Sequence, residues 1–296
     1  MNIAYLILGH KNIGQVYILI KTLNTEKSFF FVHIDKKYKV KIAEEFLDKK
    51  NVVFLSKRID ISWGGYSIVK ATLNLMKLAI EHEIKPDYFI LLSGQCFPIK
   101  SNKEIFDFFK KNNGKIFMSY TKMPDPSQID GGMFKLRFFW FMDQLGYFNK
   151  YFVFGIHKTI QLLSKLFGFE RKYLKGYIPY FGSQWWALPG QVVDYVLNFV
   201  NQNRSFVIFY KYTFAPDELF FHTIICNSKY KIKVENRLFR FMKNSFWTPE
   251  ILGIDDLSRL KQSSQLFARK FDINQDPEII AALIKYIRAD SQEGEE

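Results

Sequence analysis

Cysteine is scarce: the 296 residues contain two, Cys96 and Cys226. A disulfide framework is not implied, and reduced thiols in a cytosolic protein are the expectation. No Cys/His cluster has zinc spacing. No uninterrupted apolar run reaches the roughly 20 residues of a membrane-spanning helix. The first eight residues lack both the basic start and the apolar length of a signal peptide, so integral anchoring and Sec-type secretion lose support. Negative charge is also short, with 29 Asp and Glu against 42 Lys and Arg, a net +13. That balance points to an anionic partner: nucleic acid, anionic lipid or a phosphorylated small molecule. No helix-turn-helix, RNP or zinc-finger pattern supports nucleic acid. GxGxxG, P-loop, GxSxG and HExxH motifs are absent as well.

Aromatic side chains are plentiful, at 18% with 32 Phe, and 48% hydrophobic against 24% charged residues is ordinary for a folded globular chain. The first 120 residues alternate in character. Apolar runs predict strands at Ile3–Leu8, Ser28–Ile34, Val52–Leu55, Tyr88–Leu92 and Ile116–Ser119. Helical spacing predicts helices at Gly14–Leu23, Val40–Leu47, Ile68–Ile80 and Asn102–Phe109, the last capped by Ser101. Such alternation argues for βαβ units and a mainly parallel sheet. Ligands of these sheets bind outside the carboxyl ends of the strands. Those ends carry Gly9-His10, His33/Asp35, Lys57/Arg58 and Ser93-Gly94.

Residues 133–181 differ: sixteen aromatics, eight Lys or Arg and two acids, Asp143 and Glu170. Ile156, Ile160, Leu163 and Phe167 form one helical stripe. Two readings stand, a helical insertion packed on the sheet or an interfacial surface for membrane or a lipid-linked substrate. Beyond it, Gln184–Leu188 reads as a strand. Val192–Asn201, Asp217–Cys226, Asp255–Leu260 and Glu278–Ile287 read as helices, and Ser291–Glu296 as a mobile acidic tail.

Two groups could carry chemistry. Asp217 and Glu218 sit in what reads as the first turn of a helix, after Pro216. Acids there either complement the helix dipole or serve as a fixed general base. Arg269 and Lys270 sit between aromatics, as a solvated face or as a phosphate site, where Arg is a planar fork and Lys a point charge.

At these residues the chain resembles one glycosyltransferase family, the core-2/I-branching β-1,6-N-acetylglucosaminyltransferases and the peptide O-xylosyltransferases. The matching pieces run in family order: Phe31-Val32-His33-Ile34-Asp35-Lys36, Trp63-Gly64-Gly65-Tyr66-Ser67, Leu92-Ser93-Gly94-Gln95-Cys96-Phe97-Pro98-Ile99-Lys100, Gly182-Ser183-Gln184-Trp185-Trp186, Pro216-Asp217-Glu218 and Phe267-Ala268-Arg269-Lys270-Phe271. Residues 120–180 carry no matching motif.

The resemblance implies a GT-A type α/β fold, a Rossmann-like mixed sheet flanked by helices with a helical, aromatic insertion. Residues 1–120 would be the nucleotide-binding half, 121–181 the insertion, and 182–290 the acceptor and diphosphate half. It implies an inverting transferase that takes a sugar, GlcNAc favoured and xylose or another hexose next, from UDP to a glycan hydroxyl. Glu218 matches the family's catalytic carboxylate and Lys270 its diphosphate-binding lysine, accompanied by Arg269. Arg240 would be the partner arginine. Asp35, Trp63 and Gly94 would lie at the uridine, with His10 beside them. Ser183, Trp185, Trp186 and Asp217 would face the acceptor. The family works without a metal, consistent with the absence of Asp-x-Asp here, so no cofactor and no metal ligands are expected. Relatives commonly carry Asp where this chain has Cys96. The expected location is cytoplasmic, peripheral at the inner face of the cell membrane, with a glycan or lipid-linked glycan acceptor. A catalytically silent carbohydrate-binding or membrane-associated scaffold on the same fold is the alternative.

Overall fold

Seven residues in a row, Ile3 to Gly9, are buried and extended as strand β1 (Ile3–Gly9). A strand sends alternate side chains to opposite faces, so both faces of this one must be covered. A computed structural model describes residues 1–47, 49–243 and 249–293. In it β1 lies inside a mixed sheet whose remaining strands are β2 (Ser28–Ile34), β3 (Val52–Phe54), β4 (Tyr88–Ser93), β6 (Ile116–Phe117), β9 (Ala187–Pro189) and β10 (Val234–Glu235). Their spatial order is β10-β6-β9-β4-β1-β2-β3. The run β4-β1-β2-β3 is parallel, whereas β9 is antiparallel to both β4 and β6. The alternation of elements predicts the α/β class and the parallel run, and the mixed sheet is the one that the resemblance implies.

Ala4, Leu6 and Leu8 face one core, with α3 (Ser67–Ile80), α8 (Gly190–Gln202) and α10 (Phe220–Cys226). Ile3, Tyr5 and Ile7 face the other, with α1 (Ile13–Leu23) and α12 (Glu278–Glu293). That second face also carries a small sheet, β11-β12-β5, made of β5 (Cys96–Pro98), β11 (Arg240–Met242) and β12 (Phe267–Arg269). Residues from the first and last thirds of the chain therefore share both sheets.

Helix α4 (Asn102–Lys111) starts at Ser101 with a reciprocal capping box: Ser101 Oγ accepts from the Glu104 N–H and Glu104 accepts from the Ser101 N–H. Elsewhere the expected boundaries shift. The helix expected from Val40 begins only at Glu44 as α2 (Glu44–Leu47), and the Ala43 N–H donates to Tyr17 Oη (2.9 Å). The helix expected over Asp217–Cys226 is divided. Pro216–Glu218 is a single 3₁₀ turn, closed by the Leu219 N–H on Pro216 O (3.0 Å), and α10 starts after Leu219. Asp217 and Glu218 thus precede the α-helix instead of opening it. Helix α12 runs to Glu293, so the expected tail is helical in its first half; 294–296 lie outside the described residues.

The insertion is closed at its base by an antiparallel pair, β7 (Thr121–Lys122) and β8 (Tyr180–Phe181), and between them carries the short helices α5 (Phe134–Arg137) and α6 (Met142–Leu145), and α7 (Lys150–Leu166). Helix α7 docks through Val153 and His157, whose ring stacks on Trp140 (4.8 Å between centroids). Of the stripe Ile156, Ile160, Leu163 and Phe167, the first two are half-buried and the last two exposed, which goes against the reading that packs it on the sheet. Helices α9 (Arg204–Lys211) and α11 (Leu257–Gln262) complete the fold.

Candidate active site

The loops after β1, β2 and β4 meet at one edge of the sheet. The Asp35 N–H donates to Gly9 O (2.8 Å) and the Gly94 N–H to Leu8 O (2.9 Å). Gly94 permits this approach: a Cβ there would lie 2.9 Å from Val16 Cγ2 and 3.4 Å from the Gly9 Cα. Buried Gln15 then ties in the end of the chain. Its Nε2 donates to Gly94 O (3.0 Å) and Phe271 O (3.2 Å), and its Oε1 accepts from the Ile273 N–H (2.9 Å).

These bonds set Lys270 near His10 and Lys11. Burial first, then the charges of Lys11 and Lys270, hold His10 below its usual pKa. Lys270 is lowered too, by burial and then by Lys11 and Arg269. Lys11 is paired with Asp272 (2.6 Å), whereas Lys270 has no such partner among the described residues. A lysine depressed by neighbouring cations marks a place where an anion is welcome.

The next loop is fixed by β2. His33 Nε2 accepts the Ile59 N–H (2.8 Å), which requires a neutral ring, and burial pushes that ring down to about 4. Asp35 Oδ1 accepts the Lys37 N–H (3.0 Å) and the Ile61 N–H (3.4 Å). The loop then presents Trp63, 70% exposed and held edge-on by Phe214 and Phe154. A planar aromatic face standing open beside a fixed carboxylate suits a stacked base.

From Trp63 the path leads straight to the carboxylates. Gly64 O accepts the Ala215 N–H (2.9 Å), and Glu218 O accepts the Gly182 N–H (2.9 Å). The turn bearing Asp217 and Glu218 is therefore fastened at both ends. Lys135 of α5 donates to Glu218 Oε2 (2.8 Å). The lysine is mostly buried and the carboxylate is open to solvent. Asp217 stands in a different setting. Burial, followed by the charge of Glu218, pushes its carboxyl up to about 7. Ser183 lies next to Gly182, its N–H on Ser119 Oγ (3.2 Å). Beneath it His222 is fully buried and pushed down to about 4.

A third feature lies behind Lys270. Arg240 and Arg269 both place their guanidinium carbons over the Trp185 ring, at 4.9 and 4.6 Å. Cys96 pairs with Arg269 across β5 and β12. Arg240 is 2% exposed and bonds Leu91 O (2.9 Å), and its Nε and Nη1 have no hydrogen-bond partner among the described residues. Burial pushes Arg240 down to about 10 and lowers Arg269. These are the cations that an acid at position 96 would have neighboured; a thiol stands there instead.

The family model of core-2/I-branching enzymes matches residues 3–144 and 149–263. The chain belongs to the core-2/I-branching enzyme family. Mouse xylosyltransferase 2 is 29% identical over 313 residues, covering 96% of this chain and 33% of that protein. Human N-acetyllactosaminide β-1,6-N-acetylglucosaminyl-transferase is 25% identical over 313 residues, covering 95% of this chain and 71% of that one. The chain thus spans about a third of the xylosyltransferases it matches. Among solved structures, an active-site mutant of LgtC aligns over 90% of this chain and 86% of its own at 12% identity, with a TM-score of 0.35.

In this branching-enzyme fold His10, Asp35, Gly94 and Lys270 lie together beyond the ends of β1, β2 and β4, and the turn of Asp217 and Glu218 is tied to the Trp63 loop on one side and to Gly182, beside Ser183, on the other. Two sequence expectations are corrected. Trp186 is fully buried against Phe221 (5.5 Å), because it leads into the central strand β9, and it has no surface to offer an acceptor. Trp185 is buried against the two arginines and serves as their platform. Arg58, at the β3 end, spends its Nη1 on Tyr38 O (3.0 Å). The sequence reading missed Lys135 and Gln15. Lys135 lies 83 residues from Glu218, inside the stretch without motifs. Gln15 is a polar residue on the buried face of α1, and that mismatch was its only signal.

Proposed function

We propose that the chain is a metal-independent, inverting glycosyltransferase that moves a sugar, GlcNAc first, from a UDP-sugar to a hydroxyl of a glycan acceptor. The observation that carries this reading is the turn of Glu218, bonded at Ala215 to the Trp63 loop and at Glu218 O to Gly182. It fixes a solvent-open carboxylate next to an open aromatic plate, with Lys270, which has no ion-pair partner among the described residues, at the far end. Uracil would stack on Trp63 beside Asp35, and the diphosphate would lie toward Lys270. The acceptor hydroxyl attacks the anomeric carbon as its bond to the UDP oxygen breaks; the bonding pair leaves with UDP, and the hydroxyl proton passes to Glu218. Lys135 holds Oε2 and so orients Oε1 toward the acceptor. Lys270 and Arg269 meet the charge that grows on UDP, stabilising the transition state more than the ground state.

The protein should release UDP from one member of a panel of UDP-sugars, given an oligosaccharide acceptor and excess EDTA. Abolition of turnover by EDTA, with rescue by Mn²⁺, would remove the metal-independent mechanism. The competing reading is a sugar-binding scaffold without catalysis. It predicts no UDP release with any donor, and acceptor binding indifferent to Glu218→Gln.

A further inference from the structure

Helix α7 is apolar on both sides. Its inner side, Val153 and His157, packs on Trp140 and Met142. Its outer side carries Phe152, Leu162 and Leu166 in the open, and Leu166 is 70% exposed. At 100° per residue Leu162 and Leu166 fall on the face away from Val153, and Phe152 lies about 100° to one side of it, next to Leu166. Phe148 leads into the helix and packs on Phe152 (5.5 Å), while Phe167 and Phe169 stack on each other past its end (6.3 Å). All of these are exposed. The result is one apolar ridge about 25 Å long for 17 residues at 1.5 Å each. A helix apolar all round is ordinarily enclosed on every side, and contiguous exposed apolar surface of this kind marks an interaction site.

Charge identifies what covers it. Residues 144–169 contain no Asp or Glu and three Lys. Lys158 and Lys165 lie along one margin of the ridge, both exposed. Apolar side chains flanked by lysines, with no acid among them, match a bilayer carrying anionic headgroups. No helix among the described residues is long and apolar enough to cross a membrane, so the fit is to its surface.

We infer that α7 is an interfacial membrane anchor, lying flat on an anionic bilayer with Phe152, Leu162, Leu166 and Phe167 sunk below the headgroups and Lys158 and Lys165 at headgroup level. The inference stands apart from the sugar-transfer reading and is tested without any activity. Wild type should sediment with vesicles of phosphatidylcholine and phosphatidylglycerol at low salt, and not with phosphatidylcholine alone. High salt should weaken the binding by screening the lysines. Leu162→Glu with Leu166→Glu should lower the bound fraction by about tenfold or more. Both positions are exposed, so the variant should melt with wild type, and Lys158→Gln with Lys165→Gln provides a second, milder probe. Absence of binding to the anionic vesicles overturns the proposal. So does equal binding by the double-Glu variant, or a wild-type dimer that this variant splits while vesicles are ignored.

Discussion

Asp217 and Glu218 are neighbours in sequence with opposite surroundings. Glu218 is open and held by Lys135. Glu218→Gln removes the proton acceptor while keeping the shape, so kcat should fall by about 10²-fold or more with UDP affinity little changed. Activity within a few-fold of wild type would take Glu218 out of the mechanism. Asp217 is pushed up to about 7 by burial and by Glu218, against an ordinary Asp near 3.9 in the unfolded chain. An acid raised in the fold stabilises it fully below about pH 4 and gives that up as the pH rises to 7. Wild type should therefore lose melting temperature across this window faster than Asp217→Asn, compared in parallel buffers. Parallel slopes would show that Asp217 ionises freely. At Cys96 the expectation runs the other way. Arg240 and Arg269 are already enclosed, and a carboxylate opposite Arg269 would give them a charged acceptor worth about 1.5–3 kcal/mol. Cys96→Asp should therefore raise the melting temperature and, by occupying Arg269, weaken UDP binding measured by calorimetry. A lower melting temperature would mean that the pocket cannot accommodate the carboxylate.

Among the elements, the turn at Gly182 is the most tightly specified. An added Cβ would stand 1.9 Å from Ser119 O, a backbone atom that cannot swing aside. Gly182→Ala must move the loop, and the Gly182 N–H then loses Glu218 O. We expect a loss of about 1–3 kcal/mol in stability, the range for an overpacked site, and a fall in kcat larger than the change in KM for the acceptor. Wild-type kinetics would show that the turn is slack. The buried strands were legible because continuous apolar runs such as Phe29–Val32 have no alternative use. The meeting of the loops after β1, β2 and β4 was legible for a topological reason: parallel strands deliver their loops to one edge. The antiparallel insertion of β9 between β4 and β6 was not, since pairing direction leaves no mark in a three-residue strand. The 3₁₀ turn at Pro216–Glu218 read as helix because proline and two acids favour both. Helix α7 was half legible. A 3.6-residue period reports that one side is apolar and not what covers it, so the packed and the interfacial readings fitted the stripe equally until Leu163 and Phe167 proved exposed. Lys135 left no trace because an ion pair across 83 residues has no local pattern.

At the scale of the molecule, the site joins both ends of the chain, and a ligand bound across it should stabilise the whole. UDP at about 100 times its Kd adds about 2.7 kcal/mol, which should raise the melting temperature by roughly 5 °C. The shift should appear in EDTA without added metal and shrink in Lys270→Ala. A shift that appears only with Mn²⁺ would move the diphosphate contact from lysine to metal. The stitching by Gln15 bears also on how the enzyme is made. His10, Asp35 and Gly94 leave the ribosome well before Phe271 and Ile273, which Gln15 holds beside them. Chains emerge at about 5–20 residues per second and begin folding from the N-terminus. While the residues between Gly94 and Phe271 are being made, the nascent sheet therefore lacks β12 and Lys270, leaving Gln15 without Phe271 and Ile273.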